Sequence, residues 1–272
     1  MTAKRTAKQV EAPELSRSQI NEVLKILKDV DSVELKLVAP MQAQRATIQR
    51  LGLDPIEAEV RQVYFFDTPS LDLNKAGLVV RARRIQGGGG DTVIKLRPVD
   101  PAAIDQELRR LASFKTEIDV VPGGFVCSGS FKGRCTAQEV LDSVSGKTPL
   151  ASLFSKEQRA FYKKHAPHGI ALDSLQTFGP TFVLKVRLWS KPLQRRLVVE
   201  MWLFPDGTRN LEISTKCEPR EAFQVSTELK AYLKGVGIEL TGNQQTKTRA
   251  AMEFFKPEVR QQARTRKTRP RA

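Results

Sequence analysis

The feature that most constrains this chain is a recurring pair of charges two residues apart on otherwise apolar strands. In GLVVRARRIQGGGGDTVIKLRP (77–98) two strand-like runs flank a glycine-rich turn at Gly87 to Gly90, a strong hairpin signal. Side chains two apart on a strand share a face. Arg81 with Arg83, and Lys95 with Arg97, therefore each line one face, while Val80, Ala82, Ile94 and Leu96 line the other. One such hairpin alone reads as a half-buried sheet with its charged side in water. The pattern repeats, however. Glu34 and Lys36 share a face in VELKL, Glu117 and Asp119 in FKTEIDVV, Lys185 and Arg187 in TFVLKVRLW, and Glu212 and Ser214 in NLEIST. A closed antiparallel β-barrel, lined by these pairs and covered by helices outside, accommodates both faces of every strand. Enclosed charges must pair, hydrate or meet a ligand. A lining rich in Arg and Lys, with carboxylates at one side, suits a multiply charged anion carrying a divalent metal.

The length of 272 residues allows a sizeable core. A net charge of +15 predicts an anionic partner, without choosing between nucleic acid, nucleotide and polyphosphate. No apolar run approaches a membrane span or a signal peptide, so no membrane partner is expected and the cytoplasm is the expected compartment. Cys127, Cys135 and Cys217 are odd in number and show no paired metal-ligand spacing, which argues against a disulfide framework.

Three segments are expected: a disordered arm over 1–13, one tunnel domain over 14–256, and a basic disordered tail over 257–272. Ser16 reads as the N-cap of a first helix running to about Asp29. A second helix ends at Gly52, a natural residue just past a helix C-terminus. Strands follow at 60–67, 181–189, 196–204 and 208–216. Helices are predicted over 137–144, 156–164 and 220–234, and a last one from Lys247 that Pro257 stops. The glycine-rich run GGFVCSGSFKG (123–133) has no clear assignment. His165 and His168 read as surface histidines. The Gly87–Gly90 run lacks the Lys-Ser/Thr ending of a phosphate loop and reads as a hairpin tip.

These residues resemble a known family. VELKL (33–37), YFFDTPSLDLNKAGLVVRARR (64–84), VIKLR (93–97), KVR (185–187), LEIS (211–214) and QTKTRAAMEF (245–254) fall in the order of elements in CYTH-domain proteins of the triphosphate tunnel metalloenzyme superfamily. The resemblance implies an α+β fold, an antiparallel eight-stranded tunnel with helices packed outside. It implies hydrolysis or cyclisation of triphosphates with Mg2+ or Mn2+. Carried over by position, Lys36, Arg81, Arg83, Lys95, Arg97, Lys185 and Arg187 would contact phosphate oxygens, with Lys247 near the terminal phosphate. Glu34 and Glu212 would hold metal, with Glu117, Asp119 and Glu200 as further inward carboxylates. Arginine suits such oxygens because its planar fork donates in pairs.

The chain also departs from the pattern. Ser32 stands where the first Glu of the N-terminal motif would be, Ser214 replaces the second Glu of the late one, and Phe204 or Met201 falls where an Asp is usual. Fewer carboxylates weaken metal affinity, since magnesium is held by a few carboxylates, waters and the phosphates themselves. Two readings therefore stand beside each other. One is a metal-dependent triphosphatase acting on inorganic triphosphate or a small organic triphosphate. The other is a non-catalytic module that binds polyphosphate or nucleotide. Adenylate cyclisation ranks last, and the basic tail adds at most weak, salt-screened attraction to nucleic acid.

Overall fold

The computed structural model describes residues 15–238 and 247–268. The arm expected over 1–13 lies outside the described residues. Nine strands close into one barrel in the order β1(Ser32–Ala39), β5(Phe114–Val121), β6(Gly124–Cys135), β4(Gly90–Leu96), β3(Leu78–Ile85), β2(Glu59–Asp67), β7(Gln176–Ser190), β8(Arg195–Leu203) and β9(Arg209–Cys217), which pairs back onto β1. The expected eight-stranded antiparallel tunnel is thus corrected in two respects. The glycine-rich run at 123–133 is strand β6, and β1 pairs with β5 in parallel, Ser32 opposite Glu117. Glycines hid that strand by lowering its apparent β-propensity. Gly129 and Gly133 lie where an added Cβ would collide with the side chains of Phe114 and Gln158, so neighbouring side chains press closely on this strand.

Eight helices among the described residues join the strands: α1(Arg17–Ile26), α2(Gln44–Arg50), α3(Asp72–Lys75), α4(Gln106–Arg110), α5(Ala137–Val144), α6(Lys156–His165), α7(Ala222–Gly235) and α8(Lys247–Thr268). Period-2 alternation on the strands sorts residues between two faces. On β1, buried Val33, Leu35 and Leu37 face outward and pack with Val23 of α1 and with Val225, Leu229 and Leu233 of α7. On the other side of the barrel, Val80, Ala82 and Ile94 pack with Val140 of α5 and with Phe161 and Tyr162 of α6. The opposite face of every strand therefore looks into the lumen.

Local chemistry sets the connections. Ser16, Thr136 and Ser155 each form a capping box that starts α1, α5 and α6. The carboxylate of buried Asp67 accepts hydrogen bonds from the backbone amides of Thr68, Leu73 and Asn74 at 2.7–2.9 Å, which ties the end of β2 to α3. Gly77 follows at φ +77°, and its missing side chain lets the Arg97 backbone close on it, with Arg97 N donating to Gly77 O at 2.9 Å.

The last helix differs most from expectation. It does not stop at Pro257 but continues to Thr268, so 257–268, expected as part of a disordered tail, is helical. Pro257 removes one backbone donor, yet apolar residues on both sides of it are buried. Ala251, Met252, Phe255 and Val259 pack against Val63, Phe65, Val79, Val183 and Trp202. Those five strand residues lie on the lumen-facing rows, so α8 closes one end of the barrel. Arg260 Nε donates to Pro69 O at 3.2 Å and fastens the helix to the loop after β2.

Candidate active site

The register of the strands places the lumen residues at defined depths. Lys36 sits opposite Ser214, Val38 opposite Glu212, Lys185 opposite Glu200 and Arg83 opposite Asp91. Arg81, Arg83, Lys95, Lys185, Glu34, Lys36, Glu117, Asp119, Glu200 and Glu212 all occupy inward positions, because their neighbours along each strand form the outer cores. Arg97 follows β4 on the same row, towards the end covered by α8. Arg187 lies at the other end, near the open mouth, and is exposed. Lys247 opens α8, and its side chain lies outside the described residues.

Most of these cations already hold a carboxylate. Lys36 Nζ lies 2.6 Å from Asp119 Oδ1 and 3.1 Å from Glu34 Oε2, and Lys95 Nζ lies 2.9 Å from Asp119 Oδ2. Lys185 pairs with Glu200 at 3.2 Å, and Arg187 with Glu59 at 3.2 Å. Arg83 grips Asp91 with two nitrogens, at 2.7 and 2.8 Å. Burial alone raises the Asp119 carboxyl, but Lys36 and Lys95 overcome it and hold the group far below the usual carboxylate range. Burial likewise lowers Lys36, and three carboxylates, Asp119, Glu34 and Glu212, reverse the sign and hold it above its ordinary value. Lys95 has fewer acidic neighbours, so burial prevails there and its value falls.

Arg81 is the exception. Its Nε is buried with no hydrogen-bond partner, and no carboxylate of the described residues lies within ion-pair distance. Burial and the like charge of Arg83 lower its pKa, although a guanidinium remains a cation at neutral pH. Arg97 also lacks an ion pair among the described residues, with Asp119 acting on it only through space.

The acidic side of the lumen groups Glu34 with Glu117 and Asp119, whose nearest oxygens lie within 4.8 Å of one another. These hard oxygen donors fit Mg2+ or Mn2+. Glu212, buried on β9, is not in that group. Ser32 does not contribute a carboxylate; its hydroxyl donates to Glu117 Oε1 at 3.2 Å. The second replacement, Ser214, is buried on the lumen row opposite Lys36.

Several lumen residues were not singled out from the sequence. Lys216 bridges to Glu117 and stands 3.9 Å from Glu34. It continues the row Glu212, Ser214, Lys216, so the period-2 rule carried one step further finds it. Lys132 lies on the lumen row with Ser128 and Ser130, where burial lowers its pKa. It was hidden by the glycines of β6. Arg61 is buried and pairs with Glu59, and Asp91 falls beside the glycine turn, where a charged residue reads as loop.

The Arg83–Asp91 pair carries a pH prediction. Burial raises the Asp91 carboxyl, but the Arg83 fork and the charges of Arg83, Arg81 and Arg61 leave it below its ordinary value of 3.8. A depressed carboxylate stabilises the fold above its unfolded pKa, and that contribution is lost as pH falls through the folded value. Asp91→Asn is therefore expected to cost about 1–3 kcal/mol at pH 7, with the gap to the parent narrowing below about pH 4. Urea unfolding at pH 7 and pH 3 measures it. An equal gap at both values would show that the pair does not carry this stability.

No family model matches the chain, and no curated protein matches it either. Solved structures do. A candidate adenylyl cyclase from Hippeastrum, described as revealing a dominant triphosphatase activity, superposes with a TM-score of 0.60 at 17% identity, over 81% of this chain and 94% of that one. A candidate adenylate cyclase from Bacillus halodurans gives 0.56 at 13% identity, over 81% and 97%. At these identities the likeness is one of fold. It agrees with the closed tunnel that the sequence resemblance implies.

Proposed function

We propose that this protein hydrolyses the terminal phosphate of a triphosphate bound in the closed-end barrel, with Mg2+ or Mn2+. The observation that carries this reading is the half-buried Arg81, whose buried Nε has no partner and which holds no carboxylate, facing a lumen whose other side gathers Glu34, Glu117 and Asp119. An enclosed cation without a counter-charge is costly, and a phosphate oxygen offset by metal removes that cost. The triphosphatase activity described for the Hippeastrum protein of the same fold supports the same reading.

In this reading Arg81 and Arg97 bind equatorial phosphate oxygens, and Lys132 and Lys185 add charge along the lumen. Glu34, Glu117 and Asp119 would hold the divalent ion, which neutralises charge on the phosphates when bound. Water attacks the terminal phosphorus, a new P–O bond forms, and the bridging P–O bond breaks to release the shortened phosphate and inorganic phosphate. Such a transition state needs positioning and charge stabilisation more than a protein nucleophile.

A second reading, a binding module without turnover, is favoured by one observation. Lys36, Lys95 and Lys216 already neutralise the carboxylates that metal would use. Phosphate release from inorganic triphosphate and ATP, with Mg2+, Mn2+ or chelator, run beside calorimetric binding, separates the two. Metal-dependent release is expected. Tight binding without release would overturn the hydrolase reading and leave the binding module. Cyclic product in place of phosphate would overturn it in favour of a cyclase.

A further inference from the structure

Strand β7 is the longest in the barrel, and its last residues extend beyond the point where its neighbour β2 begins, at Glu59 opposite Lys185. From there Arg187 and Trp189 continue the lumen-facing row of Lys185. The alternation is pinned by Leu188, which packs against the outer core and so turns Trp189 the other way. Trp189 pairs across the ladder with Arg196 of β8. Tryptophan is usually well buried, yet this one is 59% exposed and makes no ring contact among the described residues. It stands at the open mouth, at the end of the barrel away from α8.

An inorganic triphosphate has no use for an indole in that place. Lys185 and Trp189 are four residues apart, about 13 Å along an extended strand. That is the span of an extended triphosphate plus a pentose. The closed end dictates orientation, with the phosphates innermost and whatever they are attached to at the mouth.

We infer that Trp189 is a stacking platform for the base of a nucleoside triphosphate, so that this site prefers nucleotides to inorganic triphosphate. This rests on the reading of the lumen as a triphosphate site. Stacking on an aromatic side chain is tolerant of sequence because every base has a π-face. Arg196, also exposed and directly opposite on β8, brings a further cation to the mouth.

The test compares two substrates in three proteins, namely the parent, Trp189→Ala and Trp189→Phe. For Trp189→Ala, KM for ATP is expected to rise about tenfold or more, with that for inorganic triphosphate unchanged within about twofold. Trp189→Phe should restore most of the ATP affinity. Equal effects on both substrates, or none on ATP, would overturn the inference. Binding gives an independent readout should no phosphate be released. The chain has two tryptophans, Trp189 and the buried Trp202. ATP is expected to quench indole fluorescence in the parent but not in Trp189→Phe, and inorganic triphosphate in neither. Calorimetric binding of ATP and inorganic triphosphate without quenching by ATP would overturn the platform and leave the triphosphate site standing. No binding of either ligand would overturn the site, and the platform with it.

Discussion

Arg81→Met is expected to raise the melting temperature of the ligand-free protein while cutting phosphate release by a hundredfold to a thousandfold. The two changes have one cause. Arg81 is a half-buried cation whose Nε is buried without a partner, and an unsatisfied buried polar group costs about 1–3 kcal/mol. Methionine fills a similar volume without that cost. At about 2–4 °C per kcal/mol for a domain of this size, the gain is roughly 2–12 °C. The same guanidinium would meet phosphate oxygens in the bound state, where loss of one charge-stabilising donor costs about 10²–10³ in rate. Differential scanning fluorimetry and a phosphate assay on one preparation suffice. A lower melting temperature with activity intact would make Arg81 structural. Arg83 should behave in the opposite sense, because its removal strands Asp91.

Asp119→Ala has the largest expected cost to stability. Its carboxylate accepts from Lys36 at 2.6 Å and from Lys95 at 2.9 Å, and it is 5% exposed. Removing it leaves two half-buried ammonium groups close together, Lys95 without its carboxylate and Lys36 with Glu34 at 3.1 Å as its remaining ion pair. Breaking such a pair by deleting one partner costs about 3–5 kcal/mol, or roughly 6–20 °C in melting temperature. Asp119→Asn keeps an acceptor for the lysines and should recover part of that loss. Both variants should abolish metal-dependent release, because each removes one of the three carboxylates suited to the ion. Full release with Asn at this position would remove Asp119 from the metal-binding group.

Much of this architecture was legible in the residues, and the parts that were not have physical reasons. The inward charge pairs of β1, β3, β4, β5 and β7 follow from strand period alone, and the Ser16 N-cap and the Gly52 terminus at φ +62° follow from the chemistry of helix ends. β6 was opaque because glycine carries no side-chain signal, and with it went Lys132. The parallel β1–β5 pairing joins residues some 85 positions apart, and no local rule reports it. The run of α8 past Pro257 reflects tertiary packing overriding a helix breaker, since Phe255 and Val259 are both buried. Lys216 and Trp189 extend rows already recognised and fell outside only because the rows were ended one step early. Ion pairing was the least readable property, because whether Arg81 or Arg83 has a partner depends on register across strands.

The helix that stops one end of the barrel has a consequence for traffic. A vessel with a single entrance cannot be threaded, so a polymeric phosphate would present a chain end and never an internal stretch. Cleavage in such a vessel would proceed from the terminus inward, one entry per event, and spent product would depart by the route that new substrate must take. In the proposed hydrolase, product and substrate would contend for the same doorway, and because the lumen cations hold both, the pace of clearing it would set an upper limit on turnover.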